Sequence, residues 1–474
     1  MAFAMSLRWS GLVALLGWLS SACAQSHDGH PDIATRSGLR LRLRWLESEG
    51  VRVPLGWHDA QLGVDCTVQR AGDGELYCFP GAMTAKLFVD AQCAESVAAT
   101  GICAANPFTQ ATVSSSPSLL GATGSCPFAE LYTAQAAEPL STYFVQLSAT
   151  SCVENPFGSF GAFTPRRLLE RVPESTLVHV TEVKTVGQDQ LQNRYYAGDD
   201  GSYLPIGFVD ARFGACDPGV AADGRTRCLP RTGAALDPDT FADPACSIPA
   251  AITIASCEAQ QETLSVSIEP NTREGGCASL RRYFELGEPI AQAFGGSACG
   301  THVFSPANVV HRVGAELDPA TFPLLDPAEI GSGRLRLQGW SAHGLEPFFG
   351  LESRLAGFSD VQLALSCSAT TTTDGALRCA PTASGFAYPD ATCTRPYVYR
   401  SGCEPHAAPQ FARSASDACR VSVHAVAHEP EPLLTPFARS GSICGQLGNG
   451  AASGYALQEV ADPALFAPMS ERVE

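Results

Sequence analysis

Cysteine spacing is the feature that most constrains how this chain can fold. The sequence contains 19 cysteines in 474 residues, and all except the first fall into three sets of six. In every set the first interval is twelve residues and the third is ten or eleven, whereas the other intervals vary, as loop insertions would make them vary. Heavy cysteine use is typical of proteins in oxidising compartments, so we predict nine disulfides with no thiol left over. The eighteen cysteines are Cys66, Cys78, Cys93, Cys103, Cys126 and Cys152, then Cys216, Cys228, Cys246, Cys257, Cys277 and Cys299, then Cys367, Cys379, Cys393, Cys403, Cys419 and Cys444.

The residues around these cysteines also repeat in register. An Asp-Gly phrase precedes the second cysteine of each set, in "DGELYC", "DGRTRC" and "DGALRC". A Gly-aromatic-x-Asp phrase precedes the first cysteine, and its aspartates are Asp59, Asp210 and Asp360. An aromatic-x-Asp-x-x-Cys phrase marks the third, with Asp90, Asp243 and Asp390. The sequence therefore predicts three homologous disulfide-rich units in tandem, at residues 37–185, 186–331 and 332–474.

Short runs with a period of two residues predict strands within each unit. Polar and apolar residues alternate from Leu39 to Trp45, from Arg334 to Trp340 and from Arg420 to Val426. We allow a short helix from Arg166 to Val172 and predict an all-β protein otherwise. The Asp-Gly phrases suit three-residue hairpin loops that end in a left-handed glycine, a register that places residue 68 opposite Cys78.

Six cysteines in one unit allow fifteen pairings, and spacing alone does not choose among them. We expect neighbours to pair, first with second, third with fourth and fifth with sixth, because short excursions of strands join them.

Two arrangements of the units are compatible with these patterns. One is a row of separate sandwich-like domains, and the other is a closed ring that resembles a β-propeller. A strand meander of about 40 residues has the size of a propeller blade, which favours the ring.

The N-terminus predicts export. Arg8 precedes an apolar run from Leu12 to Leu19 that is too short to span a bilayer, so we predict a signal peptide at residues 1–24 and a tether at residues 25–36. Ser21-Ala22-Cys23 fits a lipobox that leaves Cys23 lipidated, and the alternative is secretion after cleavage before Gln25. The formal charge of −17 argues against a nucleic-acid surface. We expect the membrane to be contacted only through the lipid anchor.

The phrases "GWHDAQLGVDC", "DGELYCFP" and "FVDAQC", with their counterparts in the other units, resemble a cysteine-rich repeat of predicted lipoproteins and secreted proteins of myxobacteria. That family has no assigned function. The resemblance covers nearly all of residues 37–474 and implies export and disulfides, but it supplies no activity and no site. The second unit departs from the pattern by lacking one residue before Cys216, which leaves its strand register open.

Common catalytic motifs are absent from the sequence. It contains no Gly-x-Ser-x-Gly, His-Glu-x-x-His, phosphate-binding loop or dinucleotide fingerprint, and we predict no cofactor and no metal. His27, Asp28, His30 and Asp32 could hold a metal weakly, but we interpret them as a solvated tether. His424 and His428 are about 13 Å apart along a strand, too far for direct chelation.

The repeated side chains have a structural and a functional interpretation. Asp59, Asp210 and Asp360 are either turn-capping residues, which we favour, or a set of recognition carboxylates. The same choice applies to the aspartates before each third cysteine. Trp45, Trp57 and Trp340 are interpreted as packing residues, with a sugar-stacking platform as the alternative.

Two functional hypotheses follow. The first is a non-catalytic exported envelope or secreted protein that binds an unknown extracellular ligand or has a structural role. The alternative is an extracellular polysaccharide hydrolase or lyase whose carboxylates lie on loops. We expect function in two longer loops, residues 112–125 and 344–353, because these differ among the units whereas the frame does not.

Overall fold

The computed structural model describes much of the chain after residue 34. The described residues are 35–81, 84, 86–101, 109–114, 128–137, 142–148, 151–154, 163–185, 190–232, 234–254, 264–270, 279–295, 299–302, 308–342, 345, 357–382, 386–400, 410–415, 419–433, 437–440, 443–446 and 452–474. Within these ranges the chain forms strands and the 3-10 turns Glu174–Thr176, Pro319–Thr321 and Pro463–Leu465, with no α-helix. The predicted all-β class is confirmed. The predicted signal peptide, Cys23 and the histidines and aspartates of the tether lie outside the described residues.

The strands fall into three consecutive groups along the chain. The first group is β1 (Leu41–Ser48), β2 (Val51–Asp59), β3 (Val64–Arg70), β4 (Leu76–Pro80), β5 (Lys86–Phe88), β6 (Ser96–Gly101), β7 (Gln110–Ser114), β8 (Ala129–Ala136), β9 (Phe144–Ser148), β10 (Ser151–Glu154), β11 (Phe163–Val172) and β12 (His179–Lys184). The second group is β13 (Leu191–Gly198), β14 (Tyr203–Asp210), β15 (Gly214–Val220), β16 (Thr226–Pro230), β17 (Ala234–Phe241), β18 (Pro249–Ile254), β19 (Leu264–Pro270), β20 (Ser279–Pro289), β21 (Ala293–Gly295), β22 (Gly300–His302), β23 (Asn308–Glu316) and β24 (Asp326–Ile330). The third group is β25 (Leu335–Ser341), β26 (Phe358–Asp360), β27 (Leu365–Thr371), β28 (Leu377–Pro381), β29 (Phe386–Ala387), β30 (Tyr397–Arg400), β31 (Phe411–Ala415), β32 (Val421–Val426), β33 (Glu431–Leu433), β34 (Phe437–Ser440), β35 (Ile443–Gln446), β36 (Ala452–Val460) and β37 (Ser470–Val473).

Each group begins with an antiparallel meander of four strands: β1–β4, β13–β16 and β25–β28. Alternation builds the first meander, since Leu41 and Leu43 are buried while the arginines between and after them face outward. A register shift between Arg44 and Trp45 returns Leu46 to the buried side. The strand predicted from residue 39 to 45 is therefore present, shifted by two residues at its start and longer at its end.

Three linking strands join each meander to the next. β12 pairs with β13 and, through His179 and Val180, with β4. β24 pairs with β25, and the chain just before it bonds to β16, with Leu325 N–H donating to the Thr226 carbonyl at 3.1 Å. β37 pairs with β1, and Met469 N–H just before it donates to Leu377 of β28 at 2.9 Å.

These links make the meanders one closed ring. The ten-stranded sheet from β16 to β37 and the five-stranded sheet from β24 to β28 are bonded to each other at both ends. A propeller keeps its blades as separate sheets, whereas hydrogen bonds here run continuously from one meander to the next. The ring predicted from the sequence is therefore continuous rather than bladed.

Apolar clusters fill the junctions between meanders. Between the first and second, Leu43, Trp57 and the disulfide Cys66–Cys78 pack with Leu204. The corresponding cluster between the second and third is built on Leu191, Phe208, Cys216, Cys228 and Leu325, with Trp340 of the third meander packed against it, and that between the third and first on Leu46, Val53, Leu337, Phe358, Cys367 and Cys379. Each junction thus buries apolar surface from two meanders, which stabilises the ring as a unit.

A second sheet follows each meander. In the second group, β17, β18, β23, β20 and β19 close on themselves, with β17 antiparallel to β18 and parallel to β19. In the first group, the segment Arg166–Val172 lies in β11 and pairs with β6 and β8. The short helix considered there is wrong, because strands on both sides satisfy the backbone and Leu168 is buried while Leu169 is exposed.

Six disulfides lie among the described residues. Cys66–Cys78, Cys216–Cys228 and Cys367–Cys379 join adjacent strands with Cα atoms 5.2–5.3 Å apart, which is the expected pairing of first with second. Val68 lies opposite Cys78, as the predicted hairpin register requires.

The expected pairing of third with fourth and fifth with sixth cysteines is wrong. The third cysteine bonds to the sixth in Cys93–Cys152, Cys246–Cys299 and Cys393–Cys444. β5 pairs with β9, and β9 with β10, so the chain around residue 152 lies beside the loop after β5 despite its distance in sequence. Cys419 is also disulfide-bonded, and its partner lies outside the described residues.

No helix in the described part of the chain has the length and apolar character needed to cross a membrane.

Candidate functional site

The aspartates of the Gly-aromatic-x-Asp phrase are buried and paired. Asp59, Asp210 and Asp360 expose 0%, 1% and 0% of their surface. Arg40 donates to both carboxylate oxygens of Asp59 at 2.6–2.9 Å, and Arg334 binds Asp360 in the same way at 2.7–2.9 Å. Backbone N–H groups of the following turn complete both sites. A carboxylate enclosed in this way caps a turn and is not exposed to a ligand.

The second meander supplies its arginine from a different position. Arg212, two residues after Asp210, contacts that carboxylate at 3.3 Å. Gln190 lies where Arg40 and Arg334 lie, since the backbone carbonyl of each accepts the N–H that follows the buried aspartate. At the position of Arg212 the other meanders have glutamine. The second meander therefore has glutamine where the others have arginine, and arginine where the others have glutamine. In each case one arginine pairs with the buried carboxylate.

The Asp-Gly phrases form the predicted turns. Gly74, Gly224 and Gly375 have φ of 89°, 78° and 80°, the left-handed region that glycine enters without strain. In the third turn, hydrogen bonds from the Arg378 guanidinium and a neighbouring threonine hydroxyl lower the pKa of Asp374 to about 2. These aspartates stabilise the turns, as predicted.

The first Asp-Gly turn differs because a tyrosine takes the place of the arginine. Tyr77 donates to Asp73 at 2.8 Å, an interaction that raises the pKa of Tyr77 to about 12. His179 of β12 packs edge-on against Tyr77 and lies 3.4 Å from Glu75 and 3.2 Å from Asp199. We call these five residues the His179 cluster. Burial acts to lower the pKa of His179, but hydrogen bonds to the two carboxylates outweigh it and raise that pKa.

The aspartates before each third cysteine are also structural. Asp90 accepts the N–H groups of residues 92, 94 and 95, and these bonds lower its pKa. Asp243 accepts the N–H groups of Ile248 and Ser247, and these bonds lower its pKa. The pKa of Asp390 is lowered by hydrogen bonds from the Thr392 hydroxyl and from the Thr392 backbone N–H. The cysteines Cys93, Cys246 and Cys393 follow at φ of 49–52°, so the capped loop holds each third cysteine in a left-handed conformation.

Trp45 and Trp57 are packing residues. Trp57 is 1% exposed, and Trp45 lies under the Arg52 guanidinium at 3.9 Å and donates its indole N–H to Glu474. His424 is engaged as well, with Nε2 3.0 Å from the Ser414 hydroxyl. His428 follows the end of β32 and is exposed.

The two predicted functional loops fall mainly outside the described residues. Residues 115–125, 343–344 and 346–353 are not described. The start of the first loop is corrected, since Thr112 and Val113 are buried in β7 and Thr112 donates to the Pro80 carbonyl.

Trp340 behaves differently from the other two tryptophans, because it lines a cleft. The cleft has a volume of about 500 Å³ and is bordered by Pro327, Ala328, Glu329, Gln338, Gly339, Trp340 and Gly357. β24 and β25 pair Pro327 with Trp340 and Glu329 with Gln338, so these four side chains share one face of the sheet. The backbone carbonyl of Gly357 accepts a hydrogen bond from the Gln338 N–H at 2.9 Å, which places Gly357 beside Gln338. Because Gly357 is a glycine, it adds no side chain there.

The cleft is the candidate functional site. Sequence reasoning identified Trp340 but missed Glu329 and Gln338, whose proximity depends on the strand pairing of β24 with β25. The alternation Arg336-x-Gln338-x-Trp340 was the available signal, since it places three polar or amphipathic residues on one face. Among the described residues, no group of histidine, cysteine, aspartate and glutamate side chains is arranged to hold a metal ion.

Comparison with known proteins gives a family without an assigned activity. Residues 18–384, more than half of the chain, match a family of unknown function, DUF7481. The protein belongs to DUF7481. No curated protein and no solved structure matches the chain. The DUF7481 match includes all residues of the cleft.

Proposed function

We propose that this DUF7481 protein is a non-catalytic exported protein with a binding or structural role in the cell envelope or the extracellular space. The disulfides support export, because such crosslinks persist in oxidising compartments. The closed ring supports a scaffold role, because a ring bonded through every junction holds surface residues in fixed positions.

The N-terminal residues give the proposal its location. We propose that residues 1–24 direct export, that Cys23 carries lipid and that residues 25–36 tether the folded part to a membrane. Secretion after cleavage before Gln25 is the alternative. The partner in either case is an extracellular or envelope ligand rather than a nucleic acid, consistent with the charge of −17.

We also propose that residues 37–185, 186–331 and 332–474 are three homologous units. Support comes from equivalent local features in all three: a buried aspartate with an arginine, an Asp-Gly turn with a left-handed glycine, and a disulfide between third and sixth cysteines.

The observation that carries the binding role is the cleft at Trp340. Its described lining combines an indole, a carboxamide and a single carboxylate, Glu329. The alternative, a polysaccharide hydrolase or lyase, generally needs two carboxylates about 5–10 Å apart. One carboxylate beside an aromatic ring fits ligand binding better than acid and base catalysis.

Fractionation of a bacterial host that exports the full-length chain tests location and role together. We expect the protein in the membrane fraction, oxidised, with Cys23→Ala releasing it or blocking its processing. We expect no release of reducing sugar when the purified protein is incubated with polysaccharides. An unmodified N-terminus at Gln25 would favour the secreted form, and reducing sugar in the supernatant would favour the hydrolase.

A further inference from the structure

The outer faces of the three meanders differ at one position, the residue that lies opposite the glycine of the Gly-aromatic-x-Asp phrase. Register pairs Arg44 with Gly56, Arg194 with Gly207, and Gln338 with Gly357. In each case the glycine adds no side chain to the sheet face beside this residue.

In the first two meanders the residue at this position is an arginine, and carboxylates of the protein form ion pairs with it. Arg44 pairs with Asp65 at 3.0 Å and with Glu471 of β37 at 2.6 Å. Arg194 forms a bidentate pair with Glu182 of β12 at 2.6–2.8 Å. The polar groups on these faces are therefore satisfied from within the protein.

On the third face, the residue at this position, Gln338, has no such pairing. The Gln338 side chain is exposed, and no described residue hydrogen-bonds to its carboxamide. Glu329, directly opposite on β24, is 3.5 Å from Arg336, and more than half of its side chain is exposed. The Gln338 carboxamide and the exposed part of Glu329 can therefore still donate and accept hydrogen bonds. On the first two faces the corresponding polar groups are already paired.

A tryptophan lies near this position in the first and third meanders: Trp45 directly follows Arg44, and Trp340 lies two residues after Gln338. Trp45 has a guanidinium over its ring and a carboxylate on its indole N–H. Trp340 packs in part against the apolar cluster of Leu191, Phe208 and Leu325, and it is also partly exposed where it borders the cleft. Among the described residues it has neither a cation over its ring nor an acceptor for its N–H. The part of the indole that borders the cleft, beside an amide and a carboxylate, can stack on an apolar ring face while its neighbours bind hydroxyl groups.

We propose that the cleft formed by Glu329, Gln338, Trp340 and Gly357 is a binding subsite for a neutral saccharide ring. This inference rests on the proposed binding role and names its ligand class. The sugar stacks on Trp340, the Gln338 carboxamide donates to and accepts from its hydroxyls, and the Glu329 carboxylate accepts a hydrogen bond from a hydroxyl. The Glu329 charge disfavours anionic sugars, and the described lining of the cleft contains no cation that could pair with phosphate.

Titration of the oxidised, full-length protein with soluble oligosaccharides of glucose, xylose and N-acetylglucosamine, followed by calorimetry and tryptophan fluorescence, tests the proposal. Monosaccharides of the same sugars form a second arm, and tighter binding of the oligosaccharides identifies a polymer as the source of the ring. Trp340→Ala should weaken binding by about tenfold or more, because aromatic anchors dominate such sites.

Gln338→Arg is the sharper variant, because it recreates the residue of the first two faces. The new arginine should pair with Glu329 and close the cleft, so we expect about a tenfold loss of affinity with unchanged thermal stability. Trp45→Phe is the matched control and should bind saccharide as the wild type does.

Absence of binding to every saccharide, or equal binding by wild type and Gln338→Arg, overturns the saccharide subsite. Neither result touches the export and anchoring tests of the proposed function. Conversely, release of reducing sugar together with loss of binding in Gln338→Arg would overturn the non-catalytic role and retain the subsite.

Discussion

Arg212 allows a direct test of how much an arginine contributes to a buried carboxylate, because it pairs with Asp210 from a different position than Arg40 and Arg334 use. Arg212→Gln leaves Asp210 buried with no cation. We expect a loss of about 2 kcal/mol, below the roughly 3–5 kcal/mol typical of a buried pair, because 36% of the Arg212 side chain is exposed.

The double variant Arg212→Gln with Gln190→Arg should recover most of that loss, since it recreates the arrangement of Arg40 and Arg334. Urea unfolding of the single and double variants measures this coupling. A double variant as unstable as Arg212→Gln alone would contradict the exchange.

Asp374 gives a prediction about acid stability. Its pKa is lowered from the ordinary 3.8 to about 2, so its stabilising contribution is present above pH 3.8 and is lost as the pH falls through about 2. Carbon-detected NMR titration of the carboxyl group should find this low value. In Arg378→Ala the titration should move back toward 3.8, and a wild-type carboxyl that already titrates there would refute the pairing.

At this scale the sequence predicted side-chain roles where they depend on the local chain. The capping of Asp59 and Asp90 and the left-handed Gly74 follow from residues a few positions away. The exchange between Gln190 and Arg212 was not predictable, because it depends on a strand pair that brings residues 20 positions apart around one carboxylate.

The junction between the first and second meanders is the element where a pH effect is expected. His179 of β12 joins Glu75 of the first meander to Asp199 of the second. Because its pKa is raised above the ordinary 6.5, its stabilising contribution is complete below pH 6.5 and is lost as the pH rises through the raised pKa.

Thermal unfolding between pH 5.5 and 8.5, a range of about one to two pH units on each side of an ordinary histidine pKa, tests this. As the pH rises through this range, the melting temperature of the wild type should fall relative to that of His179→Gln. Glu75→Gln and Asp199→Asn should each lower the histidine pKa. Identical pH profiles for wild type and His179→Gln would show that His179 does not make this junction sensitive to pH.

Disulfide connectivity is a second prediction at the scale of elements. The first and second cysteines of each set are bonded to each other, and so are the third and sixth. By elimination we expect Cys103–Cys126, Cys257–Cys277 and Cys403–Cys419. Peptide mapping without reduction should recover these three links, and a link between different sets would contradict them.

The reason that neighbour pairing failed is topological. Short spacing correctly indicated Cys66–Cys78, since a hairpin brings these residues together. Cys93 and Cys152 meet because β9 pairs with β5 across the second sheet, and no local pattern in the sequence encodes that contact. The same limit applies to the cleft, where β24 brings Glu329 to Gln338.

For the whole molecule, the decisive element is β37. Deletion of residues 468–474 removes the strand between β28 and β1 and leaves two unpaired edges. We expect the truncated chain to aggregate or to unfold at a much lower temperature, because open edges recruit other strands. Size-exclusion chromatography and calorimetry measure both outcomes.

Arg472→Ala is the control for the truncation, since its side chain is 70% exposed and its ion pair with Glu47 contributes about 1 kcal/mol or less. A truncated chain that stays monomeric with the wild-type melting temperature would show that the ring does not need to close.

Closure of the ring also has a consequence for the order of folding. Arg44 meets Glu471 across 427 residues of sequence, so β1 has no permanent neighbour on one side until β37 is available to pair with it. Contacts of such long range are slow to form, and until then β1 is available to wrong partners. A circular permutant that joins residue 474 to residue 37 and opens the chain in the Asp73 turn would make this contact local. Its refolding should be faster than that of the natural order, although every strand keeps the same neighbours.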